Sequence, residues 1–282
     1  MKVIEPKDLE PLSFLFRGKN GHRRAEHLIR MLAIDKINRV YDNSGAWTGA
    51  DFTSRLLDDI GVSYAVGNTH RLKQLPDGAF ITISNHPYGG IDGVMTIDLI
   101  ARLRPDYRFM VNRILSLVKT LEGNFISVVP AGNKKTAIKA ASIKGIRETL
   151  EHLRAGHPLG FFPSGAVSDF TLRNMKVRDR KWQESVIHLI SKAGVPVLPI
   201  RFFDKNSRFF YFLGLINWRI RLLRLPSEVF NKRGRVERIG IGEIISPGEL
   251  AQFPDIPSLG DFLRRKVYEM PVPEEFIPGN LA

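Results

Sequence analysis

The chain contains no cysteine. Disulfides, thiolate metal ligands and thiol nucleophiles are therefore excluded, and the fold has to be held by packing and hydrogen bonds. Long apolar runs are missing as well. The uncharged stretch Phe209 to Trp218 is far below the ~20 residues a helix needs to span a bilayer. Residues Met1 to Glu10 contain Glu and Asp and no apolar h-region, which argues against a secretory signal peptide. The expectation is a cytoplasmic chain. Acidic residues are in short supply: 29 Asp and Glu stand against 42 Lys and Arg, a net charge of +13 over 282 residues. Such a balance suits an anionic partner, whether nucleic acid, an anionic membrane face or a phosphorylated substrate, and it also suits a merely solvated basic surface. Nucleic-acid readers carry a zinc finger, an aromatic RNP-type strand or a basic recognition helix. The sequence has none of these, so no nucleic acid is expected as a partner.

What is present is enough apolar material, 43% of residues, to fill the core of one large domain. The first 20 residues are interrupted by Pro6 and Pro11 and carry an apolar patch, Leu12 to Phe16, that reads as an irregular arm. From His22 to Val40 apolar residues recur at helical spacing with Arg and Lys opposite, which predicts one amphipathic helix. A second helix is predicted from Thr48 to Ile60, stopped by Gly61. These form an arm and helical hairpin over 1–61, ahead of an α/β domain over 62–282.

From residue 62 strands and helices alternate. Strands are predicted at Val62–Val66, Ala79–Ser84, Tyr107–Val111, Phe125–Val129, Leu159–Phe162, Val195–Phe202, Phe209–Phe212 and Arg235–Ile241. Helices are predicted at Ile91–Leu103, Arg113–Thr120, Lys134–Arg154, Trp182–Lys192 and near Leu215–Leu223. The alternation predicts an α/β fold with a mostly parallel mixed sheet, helices on both faces, and ligands at the carboxyl ends of the strands. The Pro-rich tail, Pro271 to Pro278, is left unassigned.

The chain is organised around Asn85-His86-Pro87-Tyr88-Gly89-Gly90-Ile91-Asp92-Gly93, between a β-branched run and a helical one. His86 and Asp92 stand six positions apart, with glycines between them that let the backbone bend back. A neutral imidazole held in one tautomer by a carboxylate is a general base suited to neutral pH. Asn-His-Pro is equally good turn chemistry, and Asp92 equally suits the positive end of the next helix, so local spacing leaves both roles open. No histidines and carboxylates fall at metal-ligand spacing, and no metal is expected. Ser164 and Ser168 lack the Gly-x-Ser-x-Gly elbow of a serine hydrolase.

Four stretches together resemble the glycerolipid acyltransferases that esterify lysophosphatidate and related lysolipids, and within them a hemolysin-like bacterial branch. The family's first motif, a His and an Asp after a strand, is similar to His86 and Asp92, with five intervening residues where four are usual. Gly123 to Val128 stands at the second motif. Phe162-Pro163-Ser164-Gly165-Ala166-Val167-Ser168 resembles the third motif, Phe-Pro-Glu-Gly-Thr-Arg-Ser, and Val195 to Ile200 resembles the last. All four follow the family's order.

The resemblance implies an O-acyltransferase that moves an acyl chain from an acyl-CoA or acyl-carrier-protein thioester to the hydroxyl of a lysolipid. It implies no cofactor beyond that co-substrate. It implies His86 and Asp92 as the catalytic pair, with Asn85, Pro163, Ser164 and Gly165 at the acceptor. Three positions depart from the family: its motif Glu is Ser164 here, and its motif Arg residues are Val167 and Val128. The usual phosphate grip is gone. Either other basic residues replace it or the acceptor is not lysophosphatidate; the candidates are Lys134 and Lys135 at a predicted helix start, where backbone N–H groups favour an anion, and Arg173 with Lys176 and Arg178 past the third motif, each of which equally suits an ordinary solvated position. The acceptor is left open among lysophosphatidate, other lysophospholipids and amino-acid lysolipids.

Residues Arg208 to Arg224 mix aromatics and leucines with arginines, the composition of an interfacial segment, though a core strand followed by a surface helix has the same composition. With the net charge, this favours peripheral binding to the anionic inner face of the cell membrane. A second function class, a non-catalytic lipid-binding or hemolysin-like module, differs in one consequence: it does not depend on His86.

Overall fold

The computed structural model describes residues 5–10, 17–112, 118–128 and 137–281. The N-terminal helices are α1 (Pro6–Leu9), α2 (Gly18–Met31), α3 (Ile34–Ser44) and α4 (Gly49–Ile60). Strand β1 (Ser63–Gly67) and β2 (Ile81–Ser84) lead to α5 (Gly90–Leu103), β3 (Arg108–Asn112) and β4 (Phe125–Val128). Then come α6 (Ala137–Arg154), β5 (Leu159–Phe161), a hairpin of β6 (Asp169–Thr171) and β7 (Lys176–Arg178), α7 (Glu184–Ala193) and β8 (Val197–Phe202). Three short helices follow, α8 (Arg208–Ile216), α9 (Trp218–Leu223) and α10 (Leu225–Phe230). The chain closes with β9 (Val236–Ile241), α11 (Pro247–Leu250), α12 (Ile256–Tyr268) and β10 (Phe276–Pro278).

The main sheet runs in the order β10-β1-β9-β8-β2-β5-β3-β4. Its pairings are parallel except for β1 with β10 and β8 with β9. This is the mostly parallel mixed sheet that the alternation predicts. Strand β2 lies in its middle and is buried along its whole length although it alternates Ile-Thr-Ile-Ser, the Thr82 hydroxyl being paired with that of Tyr107 at 2.6 Å. Period-two alternation divides the side chains of neighbouring positions between two cores. Phe80, Leu198, Ile200 and Phe202 join one with α4 and α5, while Ile81, Ile83, Phe161 and Val197 join the other with α7 and α12.

Sequence and structure differ where tertiary contacts override local pattern. The helix expected over His22–Val40 is two helices, because Ala33 takes a left-handed conformation (φ 58°) between α2 and α3. The break re-aims α3 so that Tyr41 meets Phe52 of α4 edge-on, with ring centroids 5.7 Å apart. The hairpin is therefore realised as the three helices α2 to α4. The strand expected at Phe209–Phe212 is helix α8. Aromatic runs favour strands, but Ser207 caps this one: its hydroxyl accepts from the Phe210 amide at 3.1 Å, and its own amide donates to Glu228 at 2.9 Å. Strand β10 lies within the tail left unassigned and pairs antiparallel with β1, at the sheet edge where proline is tolerated. The expected arm patch Leu12–Phe16 lies outside the described residues, as does most of the helix expected over Arg113–Thr120.

Asp98 ties the N-terminal helices to the sheet. It is buried on α5 and accepts from Tyr64 of β1 at 2.6 Å and from Thr53 and Ser54 of α4 at 3.2 and 2.5 Å. Helices α3 and α4 thus share one core with β1 and α5. Removing one donor from a buried carboxylate costs more than the bond itself contributes. Tyr64→Phe is expected to lower stability by ~1–3 kcal/mol, read as a lower urea midpoint with unchanged slope.

Candidate active site

Register brings the site together. Strand β2 lies between β5 and β8, with Ile83 opposite Phe161 on one side and Ser84 opposite Ile200 on the other. The residues just past each strand therefore meet at one sheet edge. Past β2 come Asn85 and His86, and past β5 comes Phe162, whose ring stacks on the His86 imidazole with centroids 3.9 Å apart and planes 20° apart. Asn85 faces the other neighbour. Its amide donates to the Phe202 carbonyl at 2.9 Å and accepts from the Phe202 amide at 2.8 Å, so it clamps β2 to β8 beneath the site.

The turn after His86 folds back through Gly89, whose φ of +97° favours glycine, and a Cβ there would sit 2.9 Å from Leu225. That reversal brings the first turn of α5 under the imidazole. Asp92 is fully buried, and its Oδ2 lies 2.8 Å from His86 Nδ1. The same oxygen accepts from the amides of Tyr88 at 3.0 Å and Gly89 at 3.3 Å, while Oδ1 accepts from Gly93 at 3.0 Å. The two roles left open by spacing, helix-start acceptor and histidine partner, belong to one carboxylate. Because the carboxylate accepts, the ring proton belongs on Nδ1 and the basic lone pair on Nε2.

The His86 backbone is held too. Its amide donates to Asp179 at 3.1 Å, and its carbonyl accepts from the Ser168 amide at 2.8 Å. Asp179 is buried and also accepts from the Ser168 hydroxyl at 2.5 Å and the Trp182 indole at 3.2 Å. Its own amide donates to the Tyr268 hydroxyl at 2.7 Å, and Arg264 donates to its carbonyl at 3.0 Å. Burial raises the Asp179 carboxyl above the ordinary range, against the pull of Ser168 and the His86 amide. None of this network was predicted from sequence except through Ser168 of the third motif. Its only sequence signal is weak: Asp179 is the single acid in the basic run Lys176–Lys181.

The other expected residues separate. Pro163 and Gly165 form the turn after β5, beside Phe162. Gly165 has φ +62°, and a Cβ there would strike the Gln183 side chain. Ser164 is buried and donates to the Ala166 carbonyl at 2.7 Å, within its own turn. Val167, standing where the family has its motif Arg, is buried against Phe210 and Tyr211. Arg173 lies on the exposed turn between β6 and β7. Lys134 and Lys135 lie outside the described residues. Among the described residues no group of three or more His, Asp or Glu is placed to hold a metal ion.

Burial lowers the His86 pKa, but the Asp92 carboxylate, by charge and hydrogen bond, and Asp179 behind it more than offset this, leaving it above the ordinary 6.5. Protonated His86 thus adds stability that is fully present below 6.5 and lost as pH rises through the folded-state pKa. An NMR titration of the imidazole is expected to place its midpoint above 6.5. In Asp92→Asn the midpoint moves down, because burial then acts with less opposition.

A family model described as Acyltransferase matches residues 19–272. A lyso-glycine lipid O-acyltransferase of Bacteroides thetaiotaomicron is 26% identical over 226 residues, covering 78% of this chain and 79% of that protein. One of Phocaeicola vulgatus is 24% identical over 240 residues, covering 78% and 80%. The crystal structure of the 1-acyl-sn-glycerophosphate acyltransferase PlsC of Thermotoga maritima has the same fold, with a TM-score of 0.51 at 17% identity over 93% of this chain and 85% of that one. With a match that runs from α2 to the end of α12 and encloses His86 and Asp92, the chain belongs to the acyltransferase family.

Proposed function

We propose that this acyltransferase moves a fatty acyl chain from an acyl-CoA or acyl-carrier-protein thioester to the hydroxyl of a lysolipid, with His86 as general base. The observation that carries the reading is the 2.8 Å contact between His86 Nδ1 and Asp92 at the carboxyl edge of the sheet. It leaves the Nε2 lone pair to take the acceptor's hydroxyl proton as the oxygen attacks the thioester carbonyl. The C–O bond forms, the C–S bond breaks, and the imidazolium returns the proton to the departing thiolate. Asp92 stabilises the imidazolium between these steps. The base activates the acceptor directly, so neither an acyl-enzyme nor a cofactor beyond the thioester is required. Both donors are anionic and suit a basic surface.

The acceptor follows from what the third motif has given up. A valine packed against α8 stands where the family's Arg grips phosphate, and Ser164 is bonded within its own turn. This favours an acceptor whose headgroup is not a phosphate monoester. Two relatives bear the name lyso-glycine lipid O-acyltransferase, which makes an amino-acid lysolipid the leading candidate. Lys134, Lys135 and Arg173 are the basic residues assigned to the headgroup or donor. The acceptor is a lipid and the donors are soluble, so the reaction belongs at the inner face of the cell membrane.

The test is acyl transfer from labelled long-chain CoA and carrier-protein thioesters to lysophosphatidate, other lysophospholipids and amino-acid lysolipids. Wild type is expected to favour an amino-acid lysolipid. His86→Ala is expected to lose on the order of 10²–10⁴ in kcat/KM, the usual worth of a positioned base, and Asp92→Asn to lose less. In wild type, kcat/KM rises with pH through a pKa above 6.5, since only neutral His86 is a base. Undiminished transfer by His86→Ala removes the assigned base. No transfer to any acceptor favours the non-catalytic lipid-binding reading.

A further inference from the structure

We propose that α8 and α9 form a docking surface for an anionic lipid bilayer, with α8 between the membrane and the His86 turn. That the surface serves acceptor capture rests on the reading above; the binding itself does not. The argument starts from α8, which is apolar on two sides. Phe210 and Tyr211 face inward and are buried, while Phe209, Phe212 and Ile216, spaced three and four apart, are each more than half exposed. A helix that is apolar all round belongs inside a protein or in lipid. At nine residues α8 is ~14 Å long, too short to cross a bilayer, so it lies along the surface. Among the described residues no helix is long and apolar enough to cross a membrane.

Helix α9 continues the surface with Trp218, Ile220 and Leu223, all about half exposed. From Lys205 to Ser227 there is no acidic residue. Arg219 lies over the Trp218 ring at 5.2 Å and Arg224 over Phe209 at 5.4 Å, so basic groups rim the apolar patch as they do at headgroup level. The interfacial expectation changes in one respect. Arg221 is buried, donates to the Ser168 carbonyl at 3.1 Å and pairs with Asp169, so it braces the third motif instead of meeting lipid. An acid-free basic rim repels a second copy of this chain and attracts anionic lipid, which identifies the occupant.

The patch backs directly onto the site. Tyr211 lies 3.4 Å from the Pro87 carbonyl, Asn206 donates to the Tyr88 carbonyl at 3.3 Å, and Val167 of the third motif packs on Phe210. Helix α8 therefore lies between a bilayer held on its exposed face and the turn that carries His86.

The experiment is sedimentation with phosphatidylcholine vesicles containing or lacking phosphatidylglycerol, using wild type and the triple variant Phe212→Ser/Ile216→Ser/Trp218→Ser. Wild type is expected to bind the anionic vesicles, and the variant about tenfold or more weakly. Transfer to a short-chain lysolipid kept below its micelle concentration is expected to be retained by the variant, which shows that it is folded. Trp47→Phe leaves Trp218 as the one exposed tryptophan, and its emission is expected to shift to the blue with anionic vesicles. Absent vesicle binding, equal binding by the variant, or an unmoved Trp218 overturns the proposal. Self-association that buries Trp218 without lipid overturns it in favour of a second copy. Vesicle binding without transfer to any acceptor supports the docking surface and counts only against the catalytic reading.

Discussion

A carboxyl group taken wholly out of water needs hydrogen-bond partners in place of the water it gives up, and Asp92 finds them in groups the fold has already placed there. Three of its four donors are backbone amides, those of Tyr88 and Gly89 in the turn before α5 and that of Gly93 in its first turn, where a helix leaves amides without partners. The fourth is the His86 ring. One buried group thus starts the helix, closes the turn through Gly89 and orients the imidazole. These cannot be separated energetically: a change that frees the histidine also leaves the start of α5 unsatisfied.

The sheet supplies what the turn cannot. Strand β2 is paired on both edges, so the two segments beside His86 are fixed by register, and Phe162 arrives against the imidazole because Ile83 and Phe161 are partners. Asp179 then draws the hairpin, α7 and α12 onto the backbone of His86. The ring and the backbone of His86 are each held by elements from distant parts of the chain, the arrangement that a group needs if its orientation is to be set in advance.

The same packing explains what the third motif has lost. Position 167 is a valine because the residue there fills the space under α8, and α8 turns its remaining apolar surface outward. The third-motif loop and α8 are linked through this one position. Arg221 reinforces the link from inside, joining α9 to Ser168 and Asp169 of the same loop.

The periodicities, the His86–Asp92 spacing and the order of the four motifs determined the α/β class, nearly every strand of the main sheet and the candidate pair, because those signals are local and repeat at the periods of strand and helix. Tertiary structure decided what no local window contains. A left-handed Ala33 splits a helix whose apolar pattern runs on unbroken, and the Ser207 cap with Glu228 turns an aromatic run with strand propensity into α8. Asp179 looked like one more charge in a basic run until α7 and α12 folded over it, and Arg221 looked like a lipid-facing arginine until Asp169 and Ser168 reached it. Burial and partnership of a charge depend on elements far away in sequence, so side-chain type announces that a charged group is present but only the assembled fold settles what it holds.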